Sequence, residues 1–200
     1  MHAGAQMSDV SVYLTRCSQV HTFELGATVP PTVDEVRFLM NHLESANIRN
    51  GLCGSTAVYT YLTEALADFR PTLDIDVFTS REPGRPPEGW RINREAVGVT
   101  SWIAPSGGVV DFLVAGSMLP NGTTVPRNIK VVAYPDSEFR VVALDDLVRL
   151  KLNSTRDKDL QDVIRLARSC RSCLSVAKLN EQQRENLQLV QLWLDSKPDN

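Results

Sequence analysis

The sequence predicts an α/β (α+β) fold in which a mixed β-sheet is flanked by helices and followed by a short C-terminal helical part. Two observations indicate it. Between residues 32 and 143, stretches rich in β-branched residues alternate with stretches of helical periodicity, and from residue 144 onward the pattern is helical only. A chain of 200 residues has the size of one domain. We therefore expect one compact unit, with an N-terminal arm (1–31), a core (32–143) and C-terminal helices (144–200) packed on that core.

The elements of the first half follow from capping signals and periodicity. Residues 1–31 have no clear periodicity, which predicts an irregular arm. Thr32 and Glu35 have capping-box spacing and predict the start of a helix. The apolar stripe of that helix consists of Val36, Leu39, Met40 and Leu43. Residues 48–52 predict a short strand, and residues 57–69 predict a helix that follows a small-residue turn.

The second half holds the remaining strands and helices. Apolar stretches bounded by turn signals predict strands over 73–79, 90–103 (one or two short strands), 109–114 and 130–134. The glycine- and proline-rich segment 81–89 predicts an exposed loop. Helical periodicity predicts helices over 145–152, 158–168 and 181–194. Trp90 and Trp102 are expected in the core or in a cleft wall.

Composition excludes several functional classes. The net charge of −3 argues against strong nonspecific nucleic-acid binding, which needs a basic surface. No apolar run reaches the roughly 18–20 residues of a membrane span, and the first residues lack the pattern of a secretory signal. Cys170 and Cys173 form a lone CxxC without a second ligand pair, so we expect no zinc site there. A cytoplasmic protein is the expectation.

Three aspartates stand out in the predicted strands. Asp74 and Asp76 alternate with apolar residues, so on one strand their side chains share a face with Cα atoms roughly 6–7 Å apart. Asp111 is the one charged residue in the apolar stretch 109–114, where a carboxylate is costly unless exposed, paired or metal-bound. If the two strands are neighbours, the carboxylates converge and a cation would stabilise them. Alternatively, the alternation is that of any half-buried strand.

A glycine–serine turn precedes the first acidic strand. Gly54 and Ser55 follow a predicted strand and open a predicted helix. Backbone N–H groups at a helix N-terminus bind anions, and glycine allows a phosphate to approach closely. In the alternative interpretation, Gly54 makes a tight turn and Ser55 or Thr56 caps the helix.

Taken together, these residues resemble the nucleotidyltransferase superfamily of the DNA polymerase β-like fold. Its motif is a Gly-Ser turn, a helix, Asp-x-Asp on a strand and a third Asp on a later strand. The segment Arg70-Pro-Thr-Leu-Asp-Ile-Asp76 looks like the form common in AbiEii-type toxins and uncharacterised bacterial branches. The helical segments 144–151 and 156–162 are similar to the element that follows the sheet in those branches. The resemblance covers about residues 33–170.

The resemblance implies a metal site and a reaction. Asp74 and Asp76 would hold Mg²⁺ against the triphosphate of a nucleotide. Asp111 would complete a two-ion site, or accept the proton of an acceptor hydroxyl. The hydroxyl would attack the α-phosphate of an NTP and release pyrophosphate.

The resemblance also implies residues that bind the nucleotide. Gly54 and Ser55 would hold the β- and γ-phosphates. Lys151 would neutralise triphosphate charge as a catalytic residue, or would be a surface lysine paired with Asp145 or Asp146. Arg70 and Thr72 precede the acidic strand and are nucleotide-binding candidates, although Arg70 has a nearby carboxylate as its alternative partner. Residues 156, 158, 159 and 162 are expected to form a salt-bridged helix start.

Two alternatives to the enzyme remain open. One is a non-catalytic member of the same fold that binds a nucleotide or a partner protein. The other is a glycosyltransferase that uses Asp-x-Asp to hold a metal and a sugar nucleotide, which the glycine–serine turn does not support. The acceptor of the nucleotide is not specified by the sequence, and the resemblance to toxins suggests an antitoxin-like protein partner.

Overall fold

A computed structural model describes residues 10–20, 29–62, 70–96, 99–119, 122–134, 138–154, 156–174 and 178–196. Its helices are α1 (Val10–Val20), α2 (Val33–Ser45), α3 (Gly54–Tyr61), α4 (Leu144–Leu152), α5 (Asp157–Ser169) and α6 (Glu181–Ser196), with a 3-10 turn at Arg171–Leu174. Its strands are β1 (Asn50–Leu52), β2 (Asp74–Thr79), β3 (Arg91–Ala96), β4 (Val99–Ile103), β5 (Val109–Val114), β6 (Val131–Ala133) and β7 (Arg140–Val142).

The strands form one mixed sheet with the order β3-β4-β5-β2-β1-β7-β6. Strand β2 lies in the middle, parallel to β5 and antiparallel to β1. Strands β1 and β7 are also parallel, and the remaining neighbours are antiparallel. The predicted α/β class, with helices around a mixed sheet, is therefore confirmed. None of the described helices is long and apolar enough to cross a membrane.

The prediction of an irregular arm over residues 1–31 is wrong for residues 10–20, which form α1. Four of its side chains are in the core: Val10, Tyr13, Leu14 and Cys17. Tyr13 stacks on Tyr59 of α3, with ring centroids 4.3 Å apart. The helix has a weak sequence signal because it has neither an acidic first turn nor a basic last turn, so its stability comes from tertiary packing.

The predicted capping box at the start of α2 is confirmed. The backbone N–H of Glu35 donates to the Thr32 hydroxyl at 3.2 Å, and the backbone N–H of Thr32 donates to the Glu35 carboxylate at 2.8 Å. The stripe predicted to face the core is buried throughout: Val36, Leu39, Met40 and Leu43. Trp90 and Trp102 are also buried in the core, as expected.

Two elements of the core differ from the prediction. The helix expected over 57–69 begins three residues earlier and is observed as Gly54–Tyr61, while residues 63–69 lie outside the described residues. Strand β7 was not predicted, because three residues are too short to show periodicity. It is held between β1 and β6, and this pairing is set by the fold rather than by local sequence.

Candidate functional site

The three aspartates lie on one face of the sheet where β2 and β5 run side by side. Asp76 is directly opposite Asp111 in the parallel register, and Asp74 precedes Asp76 by two residues on the same strand. Because side chains alternate along a strand, all three carboxylates are on the same face. Ile75 and Val77 are buried on the opposite face. The two acidic strands are therefore neighbours, which is the condition for the predicted convergence of their carboxylates.

Burial and the neighbouring charges raise the pKa of two of these carboxylates, Asp76 and Asp111. Burial, and then the neighbouring charges of Asp74 and Asp111, raise the pKa of Asp76 to about 6 against the opposing effect of Lys151. Burial and the charge of Asp74 also raise the pKa of Asp111, while a hydrogen bond from Ser101 opposes the rise. Negative charge at this face is therefore only partly compensated by the protein itself.

The side chain of Asp74 is held by a hydrogen bond from a neighbouring residue, Thr72. The Thr72 hydroxyl is 2.9 Å from Asp74 Oδ1 and 3.0 Å from the Asp74 backbone oxygen. Thr72 thus contacts Asp74, one of the candidate metal ligands, and its contact with a nucleotide stays a prediction. Its hydroxyl orients one of the three carboxylates.

The donor chemistry of this face fits a hard divalent cation. All three groups are carboxylates, which are the ligands that Mg²⁺ prefers. A cation there would offset the charges of Asp74 and Asp111, which after burial contribute to the raised pKa of Asp76. Among the described residues, no group of three His, Cys, Asp or Glu side chains is close enough together to hold an ion as it stands. Binding would require the carboxylates to turn toward a common point.

The glycine–serine turn packs directly against this face. Gly54 has a φ of +59°, a left-handed conformation, and a Cβ added there would lie 1.8 Å from Asp76 Oδ2. The backbone N–H of Cys53 donates to the backbone oxygen of Asp76 at 2.9 Å. Glycine is required at this position both for its backbone conformation and for the space that the Asp76 carboxylate fills.

Ser55 does not cap α3 in the way the alternative interpretation proposed. The N-cap residue of the helix is Cys53, and it makes no side-chain capping hydrogen bond. The Ser55 hydroxyl instead accepts a hydrogen bond from Arg70 Nη2 at 3.2 Å. The same guanidinium nitrogen donates to both oxygens of Asp162 at 2.8 and 3.0 Å. Arg70 therefore has the carboxylate partner that its alternative interpretation anticipated.

Lys151 is buried, so the alternative of a surface lysine paired with Asp145 or Asp146 is wrong. Its ammonium donates to Asp159 Oδ1 at 2.7 Å and to Asp162 Oδ2 at 2.8 Å. These two carboxylates raise the pKa of Lys151 against the effect of burial. The lysine has a fixed position but shares its charge with two carboxylates of α5.

A cavity of about 470 Å³ opens between the acidic face of the sheet and helices α4 and α5. Its wall combines Asp76, Asp111 and Gly54 with Lys151 and Asp159. The other lining residues are Cys53, Arg94, Phe112, Leu113, Leu119, Thr124, Leu147, Leu150, Asn153, Ser154 and Arg156. The cavity thus has a charged part beside the carboxylates and an apolar part formed by leucines.

Three charged residues of the wall were not predicted as part of the site: Arg94, Arg156 and Asp159. Arg94 of β3 lines the cavity and its charge lowers the pKa of Asp111. No local signal marks it, because its place depends on the strand order β3-β4-β5. Asp159 was expected only in a salt-bridged helix start, and it does pair with Arg156 Nε at 2.6 Å. Its spacing of three residues from Asp162 places both carboxylates on one helix face, which was a usable signal.

The comparisons with known proteins give a distant likeness. No protein-family model matches the chain, and no match was found among curated proteins. The solution structure of the antibiotic-resistance factor ANT(2'')-Ia is 11% identical, with a TM-score of 0.47 over 82% of this chain and 91% of that chain. The crystal structure of an antigenic nucleotidyltransferase-like protein from Paracoccidioides brasiliensis is 15% identical, with a TM-score of 0.43 over 84% of this chain and 91% of that chain. Because both TM-scores are low, the function proposed below rests on the residues of the site.

Proposed function

We propose that this protein is a Mg²⁺-dependent nucleotidyltransferase, which transfers a nucleoside monophosphate from an NTP to an acceptor hydroxyl and releases pyrophosphate. The observation that carries the proposal is the register of β2 and β5. It places Asp76 opposite Asp111 at the wall of a cavity that Gly54 also lines, and Asp74 lies two residues before Asp76 on the same face of the strand. Carboxylates that could hold divalent ions beside a glycine turn suit metal-assisted phosphoryl transfer.

Asp74, Asp76 and Asp111 are the proposed metal ligands. Bound Mg²⁺ would supply positive charge for the triphosphate and for the leaving pyrophosphate. The Thr72 hydroxyl keeps Asp74 oriented, and Gly54 leaves room for the Asp76 carboxylate.

The first turn of α3 and the buried lysine are the proposed phosphate-binding groups. The N-terminus of α3 presents backbone N–H groups and the Ser55 hydroxyl, and glycine permits a phosphate to approach. Lys151 at the cavity wall supplies positive charge whose position is fixed by Asp159 and Asp162. Arg70 binds Ser55 and so contributes to nucleotide binding through it.

The transfer forms one bond and breaks one. The acceptor oxygen bonds to the α-phosphorus while the bond from that phosphorus to the bridging oxygen breaks, and pyrophosphate leaves with the bonding electrons. The acceptor proton passes to the Asp111 carboxylate where that group acts as the base instead of as a metal ligand. The raised pKa of Asp111 makes it a stronger base than an ordinary aspartate.

We further propose that the chain has the nucleotidyltransferase fold and belongs to its AbiEii-like branch, because the segment Arg70–Asp76 resembles that branch. A toxin-type acceptor, such as an RNA end or a protein, and an antitoxin-like partner protein would follow from that branch. A small hydroxylated molecule is the other acceptor class. These acceptor classes are separated by the labelling experiment described next.

The test is transfer of label from α-³²P-labelled NTPs into RNA, protein and small-molecule fractions of a cell extract. We expect Mg²⁺-dependent labelling of one fraction, and its loss in Asp76→Asn. Asp157→Asn is the matched control, because Asp157 is an exposed aspartate at the start of α5. Nucleotide binding without transfer would favour the non-catalytic alternative, and equal labelling by Asp76→Asn would contradict the assigned site.

A further inference from the structure

Asp162 is a fully buried carboxylate that does not line the cavity. It lies on α5 with 0% of its surface exposed. A buried carboxylate is unfavourable unless cations or hydrogen-bond donors compensate it. Asp162 therefore has a strict requirement for the two cations that contact it, and the positions of those cations depend on it in turn.

The two cations come from different elements of the fold. Arg70 Nη2 approaches both Asp162 oxygens, at 2.8 and 3.0 Å, from the segment before β2. Lys151 Nζ approaches Asp162 Oδ2 at 2.8 Å from α4. One carboxylate thus joins three parts of the fold: α4, α5 and the segment that leads into the acidic strand.

Arg70 extends this connection to the phosphate-binding turn. The nitrogen that binds Asp162 also donates to Ser55 Oγ at 3.2 Å. The backbone of Arg70 is held as well, because the Tyr13 hydroxyl of α1 donates to its carbonyl oxygen at 3.0 Å. With its backbone and its guanidinium both held, Arg70 fixes the rotamer of Ser55 beside Gly54.

We propose that Asp162 is a positioning residue for nucleotide binding, which holds Arg70 against Ser55 on one side and Lys151 at the cavity wall on the other. This inference rests on the proposed function. Without the Asp162 charge, Lys151 keeps Asp159 as a partner, whereas the described residues offer Arg70 no other ion pair. The Arg70–Ser55 contact is therefore the part that should loosen most.

The experiment compares the affinity of the wild type and Asp162→Asn for Mg²⁺ with α,β-methylene analogues of ATP, GTP, CTP and UTP, by isothermal titration calorimetry. We expect Asp162→Asn to weaken analogue binding by about 10- to 100-fold, the range of a lost charged hydrogen bond. Affinity for Mn²⁺ alone should stay within a factor of about two to three, because no metal ligand is changed. Asp157→Asn should bind the analogue as the wild type does.

A purely structural role is separated by a double-mutant cycle with Ser55→Ala. If Asp162 acts through Arg70 on Ser55, Ser55→Ala weakens analogue binding much less in the Asp162→Asn background than in the wild type. Additive effects would contradict the inference, as would wild-type analogue affinity in an Asp162→Asn protein with lowered thermal stability. If the wild type binds no analogue, the proposed function fails and this inference fails with it.

A second variant covers the case in which Asp162→Asn does not fold. The Arg70 side chain is 37% exposed, and in Arg70→Gln the buried Asp162 carboxylate keeps Lys151 as its cation, so this variant removes the same connection at a more tolerant position. It should reduce analogue affinity as Asp162→Asn does and should show the same non-additivity with Ser55→Ala. Wild-type affinity in Arg70→Gln would overturn the inference.

Discussion

Gly54→Ala is expected to destabilise the protein by more than its backbone conformation alone explains, and to remove divalent-metal binding. At a φ of +59° a Cβ costs about 1–2 kcal/mol. The added Cβ would also lie 1.8 Å from Asp76 Oδ2, 2.6 Å from Cγ and 2.8 Å from Cβ of the same residue. Overpacking of this kind costs about 1–3 kcal/mol more, so the sum is about 2–5 kcal/mol.

Gly84→Ala is the matched control for this prediction. Its φ of +81° is also left-handed, but nothing lies within 4 Å of an added Cβ. Gly84→Ala should lower the free energy of unfolding by the backbone contribution alone, about 1–2 kcal/mol. Urea unfolding of the metal-free protein measures the loss of stability in both variants. Calorimetric titration with Mn²⁺ measures the metal affinity that Gly54→Ala should lose through displacement of the Asp76 carboxylate.

The clash predicts a specific coupling. Asp76→Ala removes the two closest atoms, Oδ2 and Cγ, and leaves the contact with Cβ at 2.8 Å. Gly54→Ala should therefore cost less in the Asp76→Ala background than in the wild type. Equal losses for Gly54→Ala and Gly84→Ala, together with wild-type Mn²⁺ affinity in Gly54→Ala, would refute the close packing of the turn on the carboxylate.

Three further predictions concern the carboxylates. Because the pKa of Asp76 is about 6 in the folded protein and about 4 in an unfolded chain, its ionised form opposes folding. Asp76→Asn should therefore raise the metal-free unfolding free energy by about 3 kcal/mol at pH 7.5, and urea titrations at pH 4 should show this gain largely gone. Mn²⁺ affinity of the wild type should fall as the pH drops through about 6, which calorimetry between pH 5 and pH 7.5 measures; a flat profile would count against Asp76 as a ligand. Thr72→Val removes the hydroxyl that binds Asp74 and should weaken Mn²⁺ binding by about fivefold, the equivalent of about 1 kcal/mol, whereas Thr124→Val at the cavity wall should not.

The acidic strands were predictable because their signals are local. Alternation along 73–79 and the lone aspartate in 109–114 fixed which side chains share a face. The carboxylates could come together only if β2 and β5 were neighbours, and the sequence did not show whether they are. The structure pairs these strands and places Asp76 opposite Asp111. The capping box of α2 was likewise predictable, because both of its partners lie within four residues.

The elements that were not predictable depend on distant contacts. Helix α1 lacks charged capping signals, and it is stabilised by packing of Tyr13 on Tyr59. The partners of Lys151 were wrongly placed on its own helix, at Asp145 or Asp146, because spacing along one helix says nothing of a second helix. Asp159 and Asp162 reach Lys151 only when α5 packs against α4.

The most direct measurement of the proposed site of Asp74, Asp76 and Asp111 is calorimetric binding of α,β-methylene NTP analogues with and without Mg²⁺. We expect the wild type to bind at least one analogue and to require the divalent ion, and we expect Asp111→Asn and Asp76→Asn to abolish binding while Asp157→Asn does not. Binding that persists in the presence of EDTA, or that survives both substitutions, would show that these carboxylates do not form a metal-dependent nucleotide site.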